Sequence, residues 1–339
     1  MSIATDWNYT TGLHRVTEGI YAYMQPDGSW GLNNTGMLVS KGESLMMDTT
    51  SDIPLTQKML KAFAAAEPAA ANTINTVILT HWHMDHVHGI NAPELKASRI
   101  YASKICADWM LNLPPKKWLE AINALQGEAK MQMDHNIGTK FDWTGLDYVP
   151  PTDVFEGDIE LKVGDRKVII TEQRPAHTRS DSIIWVPEEG VAHTGDLIGK
   201  DRHQGTQFPF MSNLIATIRK VIGWSPKVVI PGHGPLMGPK DLQNVLDYCL
   251  FIQGEAKKRF DKGMSLEAAT DDLLANMGKT PYKSYKGAFN LFFTVKMLYC
   301  EFAGDSADHV RRNYNEYLAT AWRNRKSVPE KYPELFERV

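Results

Sequence analysis

The chain has 339 residues, 43% hydrophobic and 23% charged, with 37 basic against 40 acidic side chains and a formal net charge of −3. Such a composition belongs to a globular protein of one large domain or two modest ones. It gives no electrostatic reason to expect nucleic acid or an anionic membrane as partner, and no apolar run approaches the ~18 residues of a bilayer-crossing helix.

The first half reads as short strands alternating with helices. Gly19 to Tyr23, Thr35 to Val39 and Leu45 to Asp48 carry strand patterns, the last ending in the polar turn Thr49-Thr50-Ser51-Asp52. Leu55, Met59, Leu60 and Phe63 give Ile53 to Ala66 a helical period. Ile74 to Leu79 is a β-branched strand, and Ile100-Tyr101-Ala102 another. A helical stretch around Ala107 to Gly127 is broken at Pro114-Pro115. Met131 to Thr152 shows no clean period and reads as a long loop, functional or disordered. Strands resume at Ile159 to Val163, Lys167 to Thr171, Ser182 to Val186, Val191-Ala192 and Val228 to Ile230.

The character changes after Gly238. Pro239 suits the first position of a helix whose apolar face is Leu242, Val245, Leu246, Cys249 and Leu250. Leu266 to Ala275, Ala288 to Phe302 and Asp308 to Trp322 are further helices, with Gly278 and Gly304 as stops. The expected organisation is an α/β catalytic domain over 1–238 and a helical C-terminal region over 239–339. Basic residues cluster at Lys257-Lys258-Arg259 and Arg323-Asn324-Arg325-Lys326, which read as solvated helix faces. Cys106, Cys249 and Cys300 are odd in number and far apart, the usage of free thiols in a reducing compartment. Residues 1–7 show no basic n-region or apolar h-region, so a cytoplasmic location is expected.

Chemistry concentrates in Thr80-His81-Trp82-His83-Met84-Asp85-His86-Val87-His88-Gly89, directly after the strand ending at Leu79. Neutral imidazoles and carboxylates are the side chains that hold divalent metals at neutral pH. His177, Asp196 and His233 each follow a later predicted strand. Ligands at one edge of neighbouring strands converge, and the glycines beside Asp196 and His233 permit turns that aim them inward.

The pattern resembles the metallo-β-lactamase superfamily over roughly residues 12 to 238. The family motif H-x-H-x-D-H stands as His81-x-His83-x-Asp85-His86, followed by Gly89, with His177, Asp196 and His233 matching the later ligand positions in order. The resemblance implies a four-layer αββα sandwich with a C-terminal helical appendage. It implies two divalent metal ions, Zn2+ first with Fe or Mn as alternatives. His81, His83 and His177 would hold one ion, Asp85, His86 and His233 the other, and Asp196 would bridge. Shared anionic ligands offset the repulsion of two close dications, and a metal-bridging hydroxide is available at neutral pH. The implied activity is hydrolysis of a small organic ester, thioester or lactone, with Asp85 also placed to handle a proton.

Rival chemistries follow from the same residues. Sulfate- or phosphoester hydrolysis would use the same site. Asp196 and the missing export signal disfavour a true β-lactamase, and His83 stands where diiron redox members usually have glutamate. A mono-iron persulfide dioxygenase is the rival of another reaction class. His88 reads either as a group orienting a ligand or as packing, while His135, His193 and His203 match no ligand position. Trp82 reads as a wedge fixing the loop. Residues 131–152 and 201–213, carrying among others Phe141, Trp143, Tyr148, His203, Phe208 and Phe210, read either as pocket loops or as packing against the core or a partner subunit. The apolar helix with Phe289, Phe292, Phe293 and Met297 reads as core or as a homodimer contact.

Overall fold

The computed structural model describes residues 8–26, 30–71, 74–95, 97–203, 211–305 and 314–336. A seven-stranded sheet runs in chain order: β1 (Gly12–Thr17), β2 (Ile20–Met24), β3 (Thr35–Ser40), β4 (Glu43–Met47), β5 (Ile74–Ile78), β6 (Arg99–Ser103) and β7 (Asp153–Phe155). Its first four strands pair antiparallel, and β4 to β7 pair parallel. The second sheet is built from β8 (Ile159–Val163), β9 (Arg166–Glu172), β10 (Ser182–Val186), β11 (Val191–His193) and β12 (Val228–Ile230), in the order β12-β11-β10-β9-β8. Only β11 and β12 pair parallel in it.

Period-two alternation builds the layers. Along β2, Ile20, Ala22 and Met24 meet Ile170, Ile184 and Val186 between the sheets. Tyr21 and Tyr23 point the other way, joining Met37 and Met46 against Met59, Leu60 and Phe63 of helix α1 (Ile53–Ala66). On the far side, Ile183, Trp185, Ala192 and Val229 pack against helices α7 (Met211–Gly223) and α8 (Pro239–Asp261). Both sheets are therefore covered on both faces, the αββα arrangement expected of the sequence.

Shorter helices lie between: α2 (Pro68–Ala71), α3 (Met84–Val87), α4 (Lys104–Asn112), α5 (Pro115–Ala124) and α6 (Gly127–Met133). After α8 come α9 (Leu266–Met277), α10 (Leu291–Ala303) and α11 (Tyr314–Lys331). Leu273 and Leu274 of α9 and Leu291, Val295 and Leu298 of α10 share one apolar cluster with Ile183 and Trp185 of β10. A second cluster joins Phe293 and Met297 of α10, Met133 of α6, and Tyr317, Leu318 and Ala321 of α11 to Met84. No helix among the described residues is long and apolar enough to cross a membrane.

Three expectations are corrected. Residues 131–152 are not one loop: α6 runs to Met133 and a π-helical turn continues over Asp134–Gly138. Two strands, β1 and β7, lie outside the predicted set. Arg259 is not part of a solvated face; it is buried and pairs with Glu255 and Asp272. Of the second expected pocket loop, residues 204–210 lie outside the described residues, as does the 308–313 part of the predicted last helix.

Candidate metal centre

Strand direction places the candidate ligands. β4 and β5 run parallel, as do β11 and β12, and β9 is antiparallel to β10, itself antiparallel to β11. The C-terminal ends of β9, β11 and β12 therefore share one edge. Residues 80–86 leave β5, His177 follows β9, Asp196 sits in the 3-10 turn Gly195–Leu197 after β11, and His233 follows β12.

All seven predicted residues meet in space. Single ligand atoms of His81, His83, His177 and Asp196 lie within 4.8 Å of one another, and so do those of Asp85, His86 and His233. Asp196 touches both groups. Its Oδ2 is 3.4 Å from His177 Nε2 and 3.3 Å from His233 Nε2, and its Oδ1 is 3.2 Å from His86 Nε2. Asp85 Oδ2 lies 3.1 Å from His233 Nε2 and 3.3 Å from His86 Nε2. His83 Nδ1 faces His177 Nε2 at 3.1 Å.

The far sides of the rings are tied down. His86 Nδ1 donates to Asp48 Oδ2 at 2.8 Å, and His233 Nδ1 donates to the Leu32 carbonyl at 3.0 Å. His81 Nδ1 donates to Thr80 Oγ1 at 3.0 Å, and Thr80 Oγ1 in turn donates to Asp48 Oδ2 at 2.7 Å. These bonds set the tautomer and leave each Nε2 facing the cluster as an electron-pair donor. Among buried polar atoms without a hydrogen-bond partner are His81 Nε2, His86 Nε2, Asp85 Oδ2 and Asp196 Oδ1. Buried polar atoms left unpaired are costly, and their convergence here fits divalent cations.

Electrostatics agree with the donor set. Burial pushes His81 well below the ordinary histidine range, reinforced by the neighbouring His86 and His83; burial and His177 take His83 to about 3. For His86 burial works in the same direction, but Asp85, Asp196 and Asp48 outweigh it and hold the ring well above its usual value. Asp196 and Asp85 likewise overcome burial at His233, raising it to about 9. Asp85 and Asp196 are themselves held below the carboxylate range, burial being outweighed by His86 and His233.

Two further residues shape the site and were not singled out from sequence. Asp48 follows β4 with φ 62 and is fully buried; its Oδ1 also accepts from the Thr80 amide at 2.7 Å. Asp181 organises the turn carrying His177. Its Oδ2 accepts from the amides of Ala176 (3.1 Å), His177 (2.8 Å) and Thr178 (3.0 Å), and its Oδ1 from Thr178 Oγ1 (2.6 Å). Gly232 gives room, since a Cβ there would stand 2.1 Å from Asp196 Oδ1.

The other histidines take no ligand position. His88 is buried with its ring edge-on to Trp143, and burial brings it to about 4. His193 lies behind the cluster, its Nδ1 accepting from the Gly195 amide at 3.2 Å. His203 bonds Tyr248 through Nδ1 at 2.8 Å, and His135 packs edge-on to Trp322. Trp82 stacks on Trp109, with ring centroids 4.8 Å apart, and meets His83 edge-on, as a wedge would. Phe141 and Trp143 pack at the margin of the cluster holding Met84, between ligand candidates His83 and Asp85.

The sequence profile described as the metallo-beta-lactamase superfamily matches residues 28–233, more than half of the chain and all seven clustered residues. The chain belongs to the metallo-β-lactamase superfamily. It is 22% identical over 298 residues to a linear primary-alkylsulfatase of Pseudomonas sp., covering 77% of this chain and 54% of that protein. It is 21% identical over 337 residues to an alkyl/aryl-sulfatase of Saccharomyces cerevisiae, covering 88% and 50%. The chain thus spans about half the length of these relatives. Among solved structures, a stereoselective inverting sec-alkylsulfatase from Pseudomonas sp. superposes with a TM-score of 0.64 at 16% identity, over 88% of this chain and 51% of that one. A metallo-β-lactamase from Pontibacter korlensis superposes with a TM-score of 0.51 at 14% identity, over 71% and 99%. The superfamily fold implies divalent metal ions, and the donor set above suits them.

Proposed function

We propose that the chain is a two-metal hydrolase of small organic esters, with sulfate esters of an apolar alkyl or aryl group as the leading substrates. The observation that carries the reading is Asp196, whose two oxygens reach histidines of both ligand groups. Divalent ions bound there would supply Lewis acidity and a hydroxide nucleophile at neutral pH. His81, His83 and His177 would hold one, Asp85, His86 and His233 the other, with Asp196 shared; Zn2+ is the first choice for this nitrogen-rich set.

The remaining work falls to the chain's own residues. Asp48 and Thr80 keep His81 and His86 in the tautomer that offers Nε2. Asp85, its carboxylate between His86 and His233, is the group placed to take or return the proton of the leaving alcohol. Met84, Phe141, Trp143 and Phe293 form an apolar neighbourhood beside the ligand loop, suited to an organic tail rather than a polyanion. The sulfate preference rests on the alkylsulfatase relatives; carboxylic esters, thioesters and lactones are the second reading, favoured by the same apolar wall.

A substrate panel tests this directly. Metal-loaded protein should release inorganic sulfate from a medium-chain alkyl sulfate and lose that activity to a chelator. Turnover confined to lactones or thioesters would select the second reading. Oxygen uptake on a persulfide with a single bound iron would replace both.

A further inference from the structure

We infer that the interface between α6 and α11 carries a second ligand site, built to hold an oxyanion such as sulfate or a carboxylate through Arg325 and Gln132. Neither residue is among the clustered candidate metal ligands, and the inference does not depend on the reaction proposed above. Arg325 projects from α11 on the side of Leu318 and Ala321, which pack into the core, and is half-buried. Its guanidinium lies on the Phe289 ring, 4.8 Å from the centroid. Among the described residues its polar contact is neutral: Nη2 donates to Asn136 Oδ1 at 3.3 Å. Arg325 Nε is buried without a partner, and no carboxylate among the described residues pairs with this side chain.

The neighbouring acids are already engaged. Glu128, one turn before Gln132, pairs with the exposed Arg323 at 2.7 Å, as does Glu316 at 2.5 Å. Asp134 takes Lys130 at 2.5 Å. Gln132 is 0% exposed, yet neither its Nε2 nor its Oε1 has a partner. Gln132 and Asn136 are one helical turn apart, on the same face toward α11. The local field is positive: burial lowers the Arg325 pKa with no opposing charge, and His135 is lowered by burial and then by Arg325 and Lys140.

A half-buried cation with no counter-charge, next to a wholly unpartnered amide, is an expensive arrangement. One bound oxyanion would supply the counter-charge and the missing acceptor for the two unpartnered donors, Arg325 Nε and Gln132 Nε2. Its oxygens can accept from Arg325 Nε and Gln132 Nε2, a charge-assisted bond and a neutral one. The ring of Phe289 under the guanidinium holds the fork in place. Both a free inorganic anion and the acidic end of an organic molecule share this chemistry.

Calorimetric titration of the metal-loaded full chain with sodium sulfate, against sodium chloride at matched ionic strength, tests the site. Sulfate should bind saturably. Arg325→Met and Gln132→Leu should each weaken it, the first by at least ~10-fold. His233→Ala, which disturbs the metal centre instead, should leave this binding in place. Titration with 1-hexanesulfonate separates the two sources: tighter binding than sulfate, lost in Arg325→Met, means an organic ligand, and equal binding means a free anion. Absence of saturable binding by wild type overturns the inference, as does binding lost in His233→Ala but kept in both other variants. Because the readout is binding, a failure here leaves the proposed hydrolysis untouched, and inactivity in the substrate panel leaves this site untouched.

Discussion

Asp48 supports candidate metal ligands of both groups. One carboxylate fixes His86 directly and His81 through Thr80, so it supports one ligand from each group. Asp48→Ala should weaken metal binding by about 10–100-fold, the usual cost of losing such a partner, and should lower the occupancy of both ions. Elemental analysis after dialysis would read this; full occupancy would show that the rings orient without Asp48. Asp181 acts on one group only, because its bonds fix the turn of His177. Asp181→Ala should therefore strip the ion held by His81, His83 and His177 and spare the other. Equal loss of both would point to general unfolding of the loop.

Protons give a further test at the same scale. In the metal-free protein, burial opposes charge at His233, but Asp196 and Asp85 raise it to about 9, and His86 is raised too. A raised pKa means these rings hold protons at pH 7, which a metal ion must displace. Metal affinity should climb as pH rises toward about 9, and loading at pH 7 should release protons. Calorimetry in buffers of different ionisation enthalpy measures that release, and a value of zero would contradict the charge balance drawn here. For the metal-free fold the sign reverses: the stabilisation that His233 gains from its carboxylates is full below the ordinary histidine pKa and fades as pH rises through about 9.

At the scale of elements, strand ends explain why the ligands were legible. Residues 80–86, His177, Asp196 and His233 all stand just past an apolar run, where a strand hands over to a turn, and H-x-H-x-D-H is dense enough to read alone. Asp48 was hidden because a carboxylate opening a polar turn after an apolar strand is ordinary; only its left-handed φ of 62 and its burial distinguish it. The helical turns between Met131 and Gly138 were hidden for a different reason. Ala129, Met133 and Ile137 keep the helical spacing, but the buried positions beside them are the polar Gln132 and Asn136, which break the apolar period. β7 is three residues long and too short to show alternation.

Elements are also coupled through single caps. Asp52 accepts from the Leu55 amide to cap α1, and its other oxygen accepts from the Asp142 amide in the segment after α6. Asp52→Ala should cost about 1–2 kcal/mol of stability by loss of the cap alone. Chemical denaturation would measure it, and an unchanged midpoint would show that the cap is replaced by solvent.

For the whole molecule, two sheets packed face to face bring ligands from distant parts of the chain to one edge, and the helices after Gly238 close over the far sheet and beside Met84. This arrangement explains why Asp85 and His233, nearly 150 positions apart, share one cluster. The proposed function requires a pair of divalent ions that would share Asp196 and supply the hydrolytic chemistry. Metal content per chain, measured on wild type and Asp196→Ala beside hydrolysis of an alkyl sulfate, tests it most directly. The account predicts about two divalent ions in wild type, fewer in Asp196→Ala, and hydrolysis that disappears with them. A wild-type chain that holds no divalent metal, or whose hydrolysis survives both the substitution and a chelator, would contradict it.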